Sequence, residues 1–232
     1  MWKEEKRTMR PLFSLLPELQ IESILDCSCG LGFKTILFAK QGYEVEGSDA
    51  SAIAIRFAPK LAKEEGVDVR FFKSRYDELD KRCKRRYDCV YSDNFDEIRM
   101  RGDLARSAKG IYSVIKERGK FIFNGAPPQW SRTDLMKQIE KAWKRHKKFI
   151  ILPPYEKGGT RVTSIEVNER NPEGILGDRI FLIEEKGKTR AEIAFIMSPR
   201  IKWTFQDYHE VLRKAGFSEV NSARERLIVA VK

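Results

Sequence analysis

The segment from Ile24 to Thr35 joins a short apolar strand to a helix through a turn that contains two glycines. The strand ends at Asp26, and a helix is predicted over 33–40. Gly30 and Gly32 lack a Cβ, so the backbone of this turn can approach a bound molecule closely. Such a molecule would lie at the carboxyl end of the strand, near a helix N-terminus.

A second predicted strand, 43–47, leads into the sequence Ser48-Asp49-Ala50-Ser51. Asp49 lies 17 residues after Gly32, a spacing that fits one helix plus one strand. An acidic residue at this place accepts hydrogen bonds from both hydroxyls of a ribose. The glycine turn and the aspartate together predict a ligand that contains a ribose.

Strands and helices alternate through residues 22–124, after a predicted lead helix at 1–20. This alternation predicts a parallel sheet with helices on both faces. The elements predicted after the second strand are a helix at 51–65, strands at 67–72 and 87–92, a helix at 104–116 and a strand at 119–124.

The pattern changes after Ala126-Pro127-Pro128. Three segments with strand character follow, separated by turn signals and without a long helix between them, which predicts an antiparallel meander. Thr204 is the predicted N-cap of a last helix, and Gly216 its stop. The elements predicted here are a helix at 133–145, strands at 161–169, 178–185 and 189–197, a helix at 204–215, and strands at 217–220 and 226–231.

The fold class that follows is α/β. We predict a single domain over 1–232, with a Rossmann-like, doubly wound, mostly parallel seven-stranded sheet. Residues 22–124 form its cofactor-binding half. An inserted antiparallel β meander at about 155–200 is expected to cover the substrate.

Composition narrows the class of protein. Hydrophobic residues make up 41% of the chain, and no apolar run approaches the ~18 residues that a membrane span needs. The charged start leads into no signal-peptide core, so we expect a cytoplasmic protein with no membrane partner. The cysteines lack the paired spacing of zinc sites, so reduced thiols and no metal are expected. They are Cys27, Cys29, Cys83 and Cys89.

A nicotinamide-dependent dehydrogenase is the main alternative for the same features. Its turn reads Gly-x-Gly-x-x-Gly, with a third glycine for close helix packing. Here Ser28 replaces the first glycine and Thr35 replaces the third. The turn is therefore bulkier than a pyrophosphate cradle, which favours a ligand without a phosphate.

The residues Asp26-x-Ser28-Cys29-Gly30-Leu31-Gly32, with Ser48-Asp49-Ala50-Ser51, resemble the class I S-adenosylmethionine-dependent methyltransferases. They look most like the glycine N-methyltransferase and glycine/sarcosine methyltransferase group, which has an Asp-x-x-Cys-Gly-x-Gly loop and an Asp-Ala-Ser sequence after the second strand. The resemblance covers residues 22–124 well and the meander in outline. It implies an enzyme that uses S-adenosyl-L-methionine and releases S-adenosyl-L-homocysteine.

The resemblance also implies the contacts of each part of the cofactor. The backbone around Cys27, Ser28 and Gly30 would hold the methionine part. Asp49 would bind the ribose hydroxyls, and Ala50 would pack on the adenine. The loop Ser74-Arg75-Tyr76 would close over the adenine, while Asp93 and Asn94 would lie near the sulfonium. The predicted cofactor-binding residues are Asp26, Cys27, Ser28, Cys29, Gly30, Gly32, Asp49, Ala50, Ser51, Ser74, Arg75, Tyr76, Asp93 and Asn94.

Two departures limit what the resemblance implies. Many relatives have Asp or Asn in the adenine loop, where this chain has Arg75. The N-terminal segment that covers the active site of the glycine-acting enzymes is shorter here, and their carboxylate-binding arginine segment has no match. The cofactor is therefore carried over, and the glycine substrate is not.

Methyl transfer from a sulfonium is an in-line displacement, so the protein mainly holds acceptor and methyl group aligned. We assign no catalytic residue, since His146 and His209 are predicted on helices far from the strand ends in sequence. The candidate acceptor-binding residues, chosen on position, are Asn94, Asn124, Trp130, Arg132, Tyr155 and Arg200.

The net charge of +11 is concentrated in two basic runs, 81–86 and 137–148. Such runs are usually solvated faces, but they can also meet RNA. The main hypothesis is methyl transfer to nitrogen or oxygen of a small molecule in a closed pocket. The alternatives are an RNA or tRNA methyltransferase and a non-catalytic S-adenosylmethionine-binding scaffold. Against RNA, the fourth strand is followed by Asp93-Asn94-Phe95 and not by an Asn-Pro-Pro-Tyr tetrad. The oligomeric state is open, a homodimer included.

Overall fold

The computed structural model describes residues 2–145, 147–171, 174–199, 203–224 and 226–232. These divide into two compact units, Met1–Trp130 with Trp203–Lys232, and Ser131–Lys202. The helices are α1 (Trp2–Leu15), α2 (Phe33–Lys40), α3 (Ala52–Glu64), α4 (Leu79–Arg82), α5 (Arg101–Ser113), α6 (Arg132–Arg145) and α7 (Phe205–Ala215). The strands are β1 (Ser23–Asp26), β2 (Glu44–Asp49), β3 (Arg70–Lys73), β4 (Tyr87–Ser92), β5 (Ile115–Asn124), β6 (Phe149–Ile151), β7 (Tyr155–Lys157), β8 (Thr160–Asn171), β9 (Gly174–Glu185), β10 (Lys188–Pro199), β11 (Glu219–Ser222) and β12 (Leu227–Val231).

The first unit, within the described residues, contains a seven-stranded sheet in the order β11-β12-β5-β4-β1-β2-β3. Strands β1 to β5 are parallel, and β12 joins β5 in the antiparallel sense before pairing with β11. The predicted α/β, mostly parallel sheet is confirmed. The carboxyl ends of β1, β2 and β4 meet at one edge, because these strands are parallel neighbours.

Helices cover both faces of this sheet, and each face has its own apolar core. Strand β5 shows why, since alternate side chains of a strand point to opposite faces. Phe121 and Phe123 pack in the cluster that includes Leu104 of α5 and Leu212 of α7. Ile122 packs in the other cluster, with residues of α1 and α2. The sheet is therefore doubly wound, as predicted.

The ends of several elements differ from the prediction. The helix predicted at 104–116 is α5, which ends at Ser113, and the strand predicted at 119–124 already begins at Ile115. Ile115 pairs with Tyr87 before the register shifts, and Arg118 has a φ of +60°. Strand β5 therefore contains an irregular stretch around Arg118, where the prediction had placed a turn between the helix and the strand. The strand predicted at 67–72 begins later, at Arg70, because the Val67 N–H still bonds the carbonyl of Ala62.

The second unit contains an antiparallel sheet in the order β10-β9-β8-β6, with β7 also paired to β8. The three predicted meander strands are present and each extends to 12 residues. Strands β6 and β7 were not predicted, because three residues are too few to show an alternating pattern. Helix α7 has the predicted N-cap at Thr204, in a capping box with Asp207, and the predicted stop at Gly216.

Asp26 joins β1 to α2 across the glycine turn. Its carboxylate is 1% exposed and accepts hydrogen bonds from the Thr35 hydroxyl at 2.7 Å and the Ser28 N–H at 3.4 Å. Burial raises the pKa of this carboxyl to about 7, although the Thr35 hydrogen bond and the nearby Lys34 charge act in the opposite direction. Asp26 therefore links the start of the glycine turn to α2 through its carboxylate.

The burial of Asp26 predicts a specific dependence of stability on pH. Below about pH 4 the carboxyl is protonated in folded and unfolded chains alike. Between about pH 4 and 7 the folded chain holds a proton that the unfolded chain has released. The free energy of unfolding therefore falls by up to about 4 kcal/mol as the pH rises through this range. Asp26→Asn keeps an acceptor for Thr35 without the charge. Chemical denaturation from pH 4 to 8 should show a flatter profile for this variant. Parallel profiles would contradict the assignment.

Gly110 predicts a second effect on stability. A Cβ at this position of α5 would lie 2.0 Å from the backbone oxygen of Tyr76. Gly110→Ala should therefore lower the free energy of unfolding by roughly 1–3 kcal/mol or more, because backbone must move. The matched control is Gly102→Ala in the same helix, where the added Cβ would only approach the flexible Arg106 side chain at 3.5 Å. Urea denaturation should find the control close to the wild type, and equal losses in both variants would refute the close packing.

Candidate cofactor and acceptor site

A cavity of about 660 Å³ lies in the first unit, at the carboxyl ends of β1, β2 and β4. It falls within the volume range of small-molecule sites. The predicted cofactor residues that line it are Cys27, Ser28, Asp49, Ala50, Ser74, Arg75, Tyr76 and Asn94. The structure therefore brings together the loops after these strands and the loop after β3.

Asp49 holds the glycine turn against the end of β2. Its Oδ2 accepts a hydrogen bond from the Gly30 N–H at 2.8 Å, and its Oδ1 accepts one from the Ser51 N–H at 2.8 Å. Ser51 in turn caps α3, where its hydroxyl accepts from the Ala54 N–H. Each carboxylate oxygen keeps a further lone pair, so Asp49 can accept from a ligand without releasing the turn.

The two glycines of the turn differ in the space that surrounds them. Gly30 has a φ of +52° and a Cβ there would meet nothing within 4 Å, so the backbone faces open space. Gly32 has a φ of +90° and packs against the Phe71 ring, which a Cβ would approach to 3.0 Å. Both conformations are left-handed and favour glycine. Gly30 is therefore constrained by its backbone conformation alone, and Gly32 by its conformation and by the Phe71 ring.

Three hydroxyl groups tie the loops of the cavity together. Ser92 Oγ lies 3.1 Å from Ser28 Oγ and 2.9 Å from the Tyr76 hydroxyl. Ser28 Oγ also accepts the Asp93 N–H at 3.0 Å. Burial raises the pKa of Tyr76, which keeps the phenol protonated and able to donate. The loop after β1 and the segment after β3 are therefore linked through the end of β4.

The cysteines of the turn are buried thiols. The Cys27 thiol donates to the Tyr91 carbonyl oxygen at 3.2 Å. Burial raises the pKa of both Cys27 and Cys29, so neither is a thiolate at neutral pH. Nucleophilic or metal-binding chemistry needs the thiolate, so these residues serve packing and backbone geometry. Among the described residues there is no cluster of side chains able to hold a metal ion.

Arg75 points its guanidinium toward a carboxylate that the sequence interpretation had missed. Its Nε donates to Asp77 Oδ1 at 3.1 Å, and this hydrogen bond raises the pKa of Arg75. Asp77 lines the same cavity as Ala50 and Ser74. An acidic residue is therefore present beside the predicted adenine region, two positions later in the chain than the one where relatives carry it.

The segment between β4 and the middle of α5 also lines the cavity and was not predicted. It begins with a single helical turn, Phe95–Glu97, and continues into α5, and no motif marks its side chains in the sequence. They are Glu97, Ile98, Arg99, Met100, Asp103 and Ser107. Met100 is 65% exposed and Glu97 is exposed too, so the rim of this wall carries both an apolar and a charged side chain.

Asp93 does not line the large cavity but forms the centre of a separate polar cluster. Its Oδ1 accepts from the Tyr91 hydroxyl at 3.1 Å and from the Asn124 amide at 2.9 Å. Its Oδ2 forms an ion pair with Lys34, whose Nζ also lies 3.9 Å from a carboxylate oxygen of Glu5 in α1. These residues surround a small cavity of about 130 Å³ that α1 closes with Thr8, Met9, Pro11 and Leu12.

The remaining predicted residues lie elsewhere. Asp26, Cys29, Gly30, Gly32 and Ser51 shape the loops without lining the large cavity. Among the acceptor candidates, Asn94 lines the large cavity and Asn124 the small one. The other candidates that the structure describes, Trp130, Arg132 and Tyr155, line neither, and Arg200 lies outside the described residues. No helix in the described ranges is long and apolar enough to cross a membrane.

Comparison with known proteins finds similarity to methyltransferases. Residues 24–119 match a family model described as a methyltransferase domain. Two proteins provisionally named methyltransferases are similar in sequence. One, of Geobacillus sp. (strain WCH70), is 29% identical over 103 residues, and YqeM of Bacillus subtilis (strain 168) is 24% identical over 110. Each match covers 44% of this chain and 41% of the relative, so the chain spans less than half of the length of these relatives.

Solved structures resemble more of the chain. The sugar N-methyltransferase KedS8 from Streptoalloteichus sp. has a TM-score of 0.70 at 15% identity, over 94% of this chain and 84% of that one. DesVI of Streptomyces venezuelae has 0.69 at 17%, over 99% and 91%. The amino pentose methyltransferase CalS10 of Micromonospora echinaspora, solved with S-adenosylmethionine, has 0.64 at 15%, over 100% and 91%. The chain therefore has the fold of the class I S-adenosylmethionine-dependent methyltransferases.

Proposed function

We propose that this chain transfers the methyl group of S-adenosylmethionine to an amino group of a small molecule. The observation that carries the proposal is the hydrogen bond between Asp49 and the Gly30 N–H, at the edge of a cavity large enough for a nucleoside. It sets the glycine turn and a ribose-binding carboxylate side by side. The matched methyltransferase domain and the similar structures support the same cofactor.

The residues around the cavity fit this cofactor. The Asp49 oxygens retain lone pairs for two ribose hydroxyls, and Ala50 offers a small apolar surface for a base. Asp77 supplies a carboxylate that can accept from the adenine amino group, the contact that Arg75 cannot make. The backbone of Cys27 and Ser28 would hold the methionine part. When bound, the cofactor supplies a methyl group on a positively charged sulfur, ready for in-line displacement.

The acceptor end of the site is proposed to be the Asp93 cluster. Tyr91 and Asn124 hold one carboxylate oxygen in place, and the other already receives a cationic N–H donor from Lys34. A protonated acceptor amine, like the Lys34 ammonium group, would be a cationic N–H donor to this carboxylate. The Asp93 N–H bonds Ser28 of the cofactor loop, so the carboxylate is anchored to the place where the methyl donor would lie.

Positioning, and no covalent step on the protein, is the mechanism that these residues support. The thiols of the turn stay protonated and do not compete as nucleophiles. Asp93 would orient the acceptor amine and accept the proton that its nitrogen must lose before it attacks. Holding two reactants aligned contributes about 7–11 kcal/mol to such a reaction. The names of KedS8 and CalS10, a sugar N-methyltransferase and an amino pentose methyltransferase, support an amino sugar as acceptor.

The resemblance to the glycine N-methyltransferase group is retained for the cofactor loop alone. The predicted role of the meander as a cover over the acceptor likewise stays a proposal.

RNA as the acceptor has one observation in its favour. A groove lined by Arg70, Lys73, Lys81 and Arg82 lies beside Ala50 and Arg75. Part of the basic run 81–86 is neutralised, however, because Arg85 pairs with Glu44 and Glu46. Arg70 also pairs with Glu46. These pairs reduce the free positive charge that phosphate binding would use, so the small-molecule hypothesis stays the main one.

Asp49→Asn tests the cofactor assignment. The amide keeps one acceptor oxygen, so the variant should lose a ribose contact and bind S-adenosylhomocysteine about 10- to 100-fold more weakly, equivalent to ~1–3 kcal/mol. Calorimetry with purified protein measures this directly. Asp68→Asn, at an exposed position after α3, is the matched control and should bind like the wild type. Unchanged affinity in Asp49→Asn would exclude the ribose contact.

Asp93→Asn tests the acceptor assignment. Transfer of labelled methyl groups should be measured over a panel of amino sugars and the hydroxyl sugars that correspond to them. We expect the wild type to methylate amines, and the variant to be about 10- to 100-fold slower, because a charged hydrogen bond worth ~1.5–3 kcal/mol is lost.

The control for this experiment is Asp80→Asn, an exposed residue of α4. Affinity for S-adenosylhomocysteine should be unchanged in both variants, which separates acceptor binding from cofactor binding. Methylation of the hydroxyl sugars at the same rate as the amines would show that the amine assignment is wrong.

A further inference from the structure

Lys34 carries a positive charge at a place where a helix does not favour one. It is the second residue of α2, which begins at Phe33. The N-terminal end of a helix has a partial positive charge, so a cation in the first turn is repelled. The sequence of this turn, 33–36, contains no acidic residue that would offset the repulsion. The lysine is therefore stabilised by groups from outside its own helix.

Two carboxylates from other elements hold the Lys34 ammonium group. Its Nζ donates to Oδ2 of Asp93 after β4, and a carboxylate oxygen of Glu5 in α1 lies 3.9 Å away. The Lys34 side chain is 16% exposed, so these charges are partly withdrawn from water. Solvent screens such charges less than it screens fully exposed ones. The positive charge of Lys34 is therefore held in place within the Asp93 cluster.

The carboxylate of Asp93 offers an acceptor molecule one oxygen. Its Oδ1 already accepts from the Tyr91 hydroxyl and the Asn124 amide, which use both lone pairs of that oxygen. Its Oδ2 accepts from Lys34 and keeps a second lone pair. An amine that binds Asp93 must therefore share Oδ2 with the ammonium group. Two nitrogens that bind one oxygen lie roughly 4–5 Å apart.

The charges that surround Lys34 are already in balance. The charged and titratable groups that neighbouring elements bring to it or to its small cavity are Glu5, Asp26, Tyr91, Asp93 and Arg226. Burial raises the pKa of Asp26 to about 7 and the pKa of Tyr91 as well, so both are mainly neutral at about pH 6. Two cations then face two carboxylates. A protonated acceptor amine would add a third cation, for which the described residues around the cavity supply no further carboxylate.

Like charges this close disfavour each other, which lowers the pKa of an amine. Lys34 is held by two carboxylates, whereas the acceptor would have to share one of them. The acceptor amine is therefore the group that gives up its proton. A neutral amine still donates an N–H to Asp93 and has a free lone pair on nitrogen.

We propose that the charge of Lys34 keeps the acceptor nitrogen unprotonated while it is bound to Asp93. The inference rests on the proposed amine acceptor and adds a residue to its mechanism. The proton passes from nitrogen to Asp93 and then to water, because a protonated Asp93 would lose its ion pair with Lys34 and its side chain is 33% exposed. The nitrogen lone pair then forms the new bond to the methyl carbon as the bond between that carbon and sulfur breaks.

The pH dependence of kcat tests this inference, because kcat reports ionisation in the complex with bound acceptor. The substrate is the amino sugar of the panel that the wild type methylates fastest, at saturating concentration. Lys34→Met removes the charge and keeps an unbranched side chain that suits a helix. Its kcat should be roughly tenfold or more below the wild type at about pH 6. At about pH 9, where the amine is already neutral in solution, the two should be close. Lys34→Arg keeps the charge and should follow the wild type.

Proton release provides a second measurement that needs no turnover. The same amino sugar is titrated at about pH 6 into protein that holds S-adenosylhomocysteine, in two buffers with different heats of ionisation. The wild type should release most of one proton for each amine bound, because an amine that is protonated in solution binds in its neutral form. Lys34→Met should release less than half as much, and Lys34→Arg as much as the wild type.

The matched control is Lys40→Met, since Lys40 is on the same helix but pairs with Glu65. Its pH profile should be that of the wild type. Glu5→Gln removes an anion beside Lys34 and should move the profile toward lower pH, opposite to Lys34→Met. Coincident profiles for Lys34→Met and the wild type would overturn the inference. A loss of kcat by the same factor at every pH would overturn it too, because a purely structural role has that effect.

Failure of the proposed function gives a different result. A wild type that methylates no amine refutes the amine acceptor before any Lys34 variant is compared, and the inference falls with it. A wild type that methylates amines, together with a Lys34→Met variant that releases as many protons as the wild type, leaves the proposed function standing and overturns the role of Lys34 alone.

Discussion

The carboxylate of Asp49 is the interaction on which the geometry of this site depends. It receives the Gly30 N–H from the loop after β1 and the Ser51 N–H that begins α3. One side chain therefore fixes the relative position of two strand ends and a helix start. Because backbone groups need partners when they leave the solvent, the same carboxylate both shapes the cavity and leaves acceptor capacity toward it.

A second level of organisation divides the polar residues at the strand ends into two groups. Ser28, Ser92 and Tyr76 connect the loops around the large cavity through hydroxyl groups. Asp93 and Asn124 form a smaller cluster with Lys34 under α1. The Asp93 N–H bond to Ser28 is the link between them. Under the proposed function, the large cavity would bind the cofactor and the Asp93 cluster would recognise the acceptor amine, with Ser28 between them.

Much of this architecture could be predicted from sequence, because it depends on local signals. The glycine turn, the strand-end Asp49 and the alternation of strands and helices are each visible within a few residues. The burial of Asp26 and its raised pKa were not, since they depend on the helices that close over β1. Asp77 and the wall from Glu97 to Ser107 were missed because their contribution comes from the path of the chain after β3 and β4, which no motif records. The irregularity in β5 arises from pairing with Tyr87, 28 residues earlier in the chain.

The contact between Gly110 and the backbone of Tyr76 has a consequence for engineering this protein. Tyr76 lines the cavity, so a side chain at position 110 would displace part of the wall without touching any ligand. A library that aims at new acceptors should therefore vary exposed wall positions such as Met100 and Glu97, and hold Gly110 constant. Changes of acceptor preference can therefore arise by substitution at the rim of the cavity, whereas position 110 of α5 tolerates only glycine.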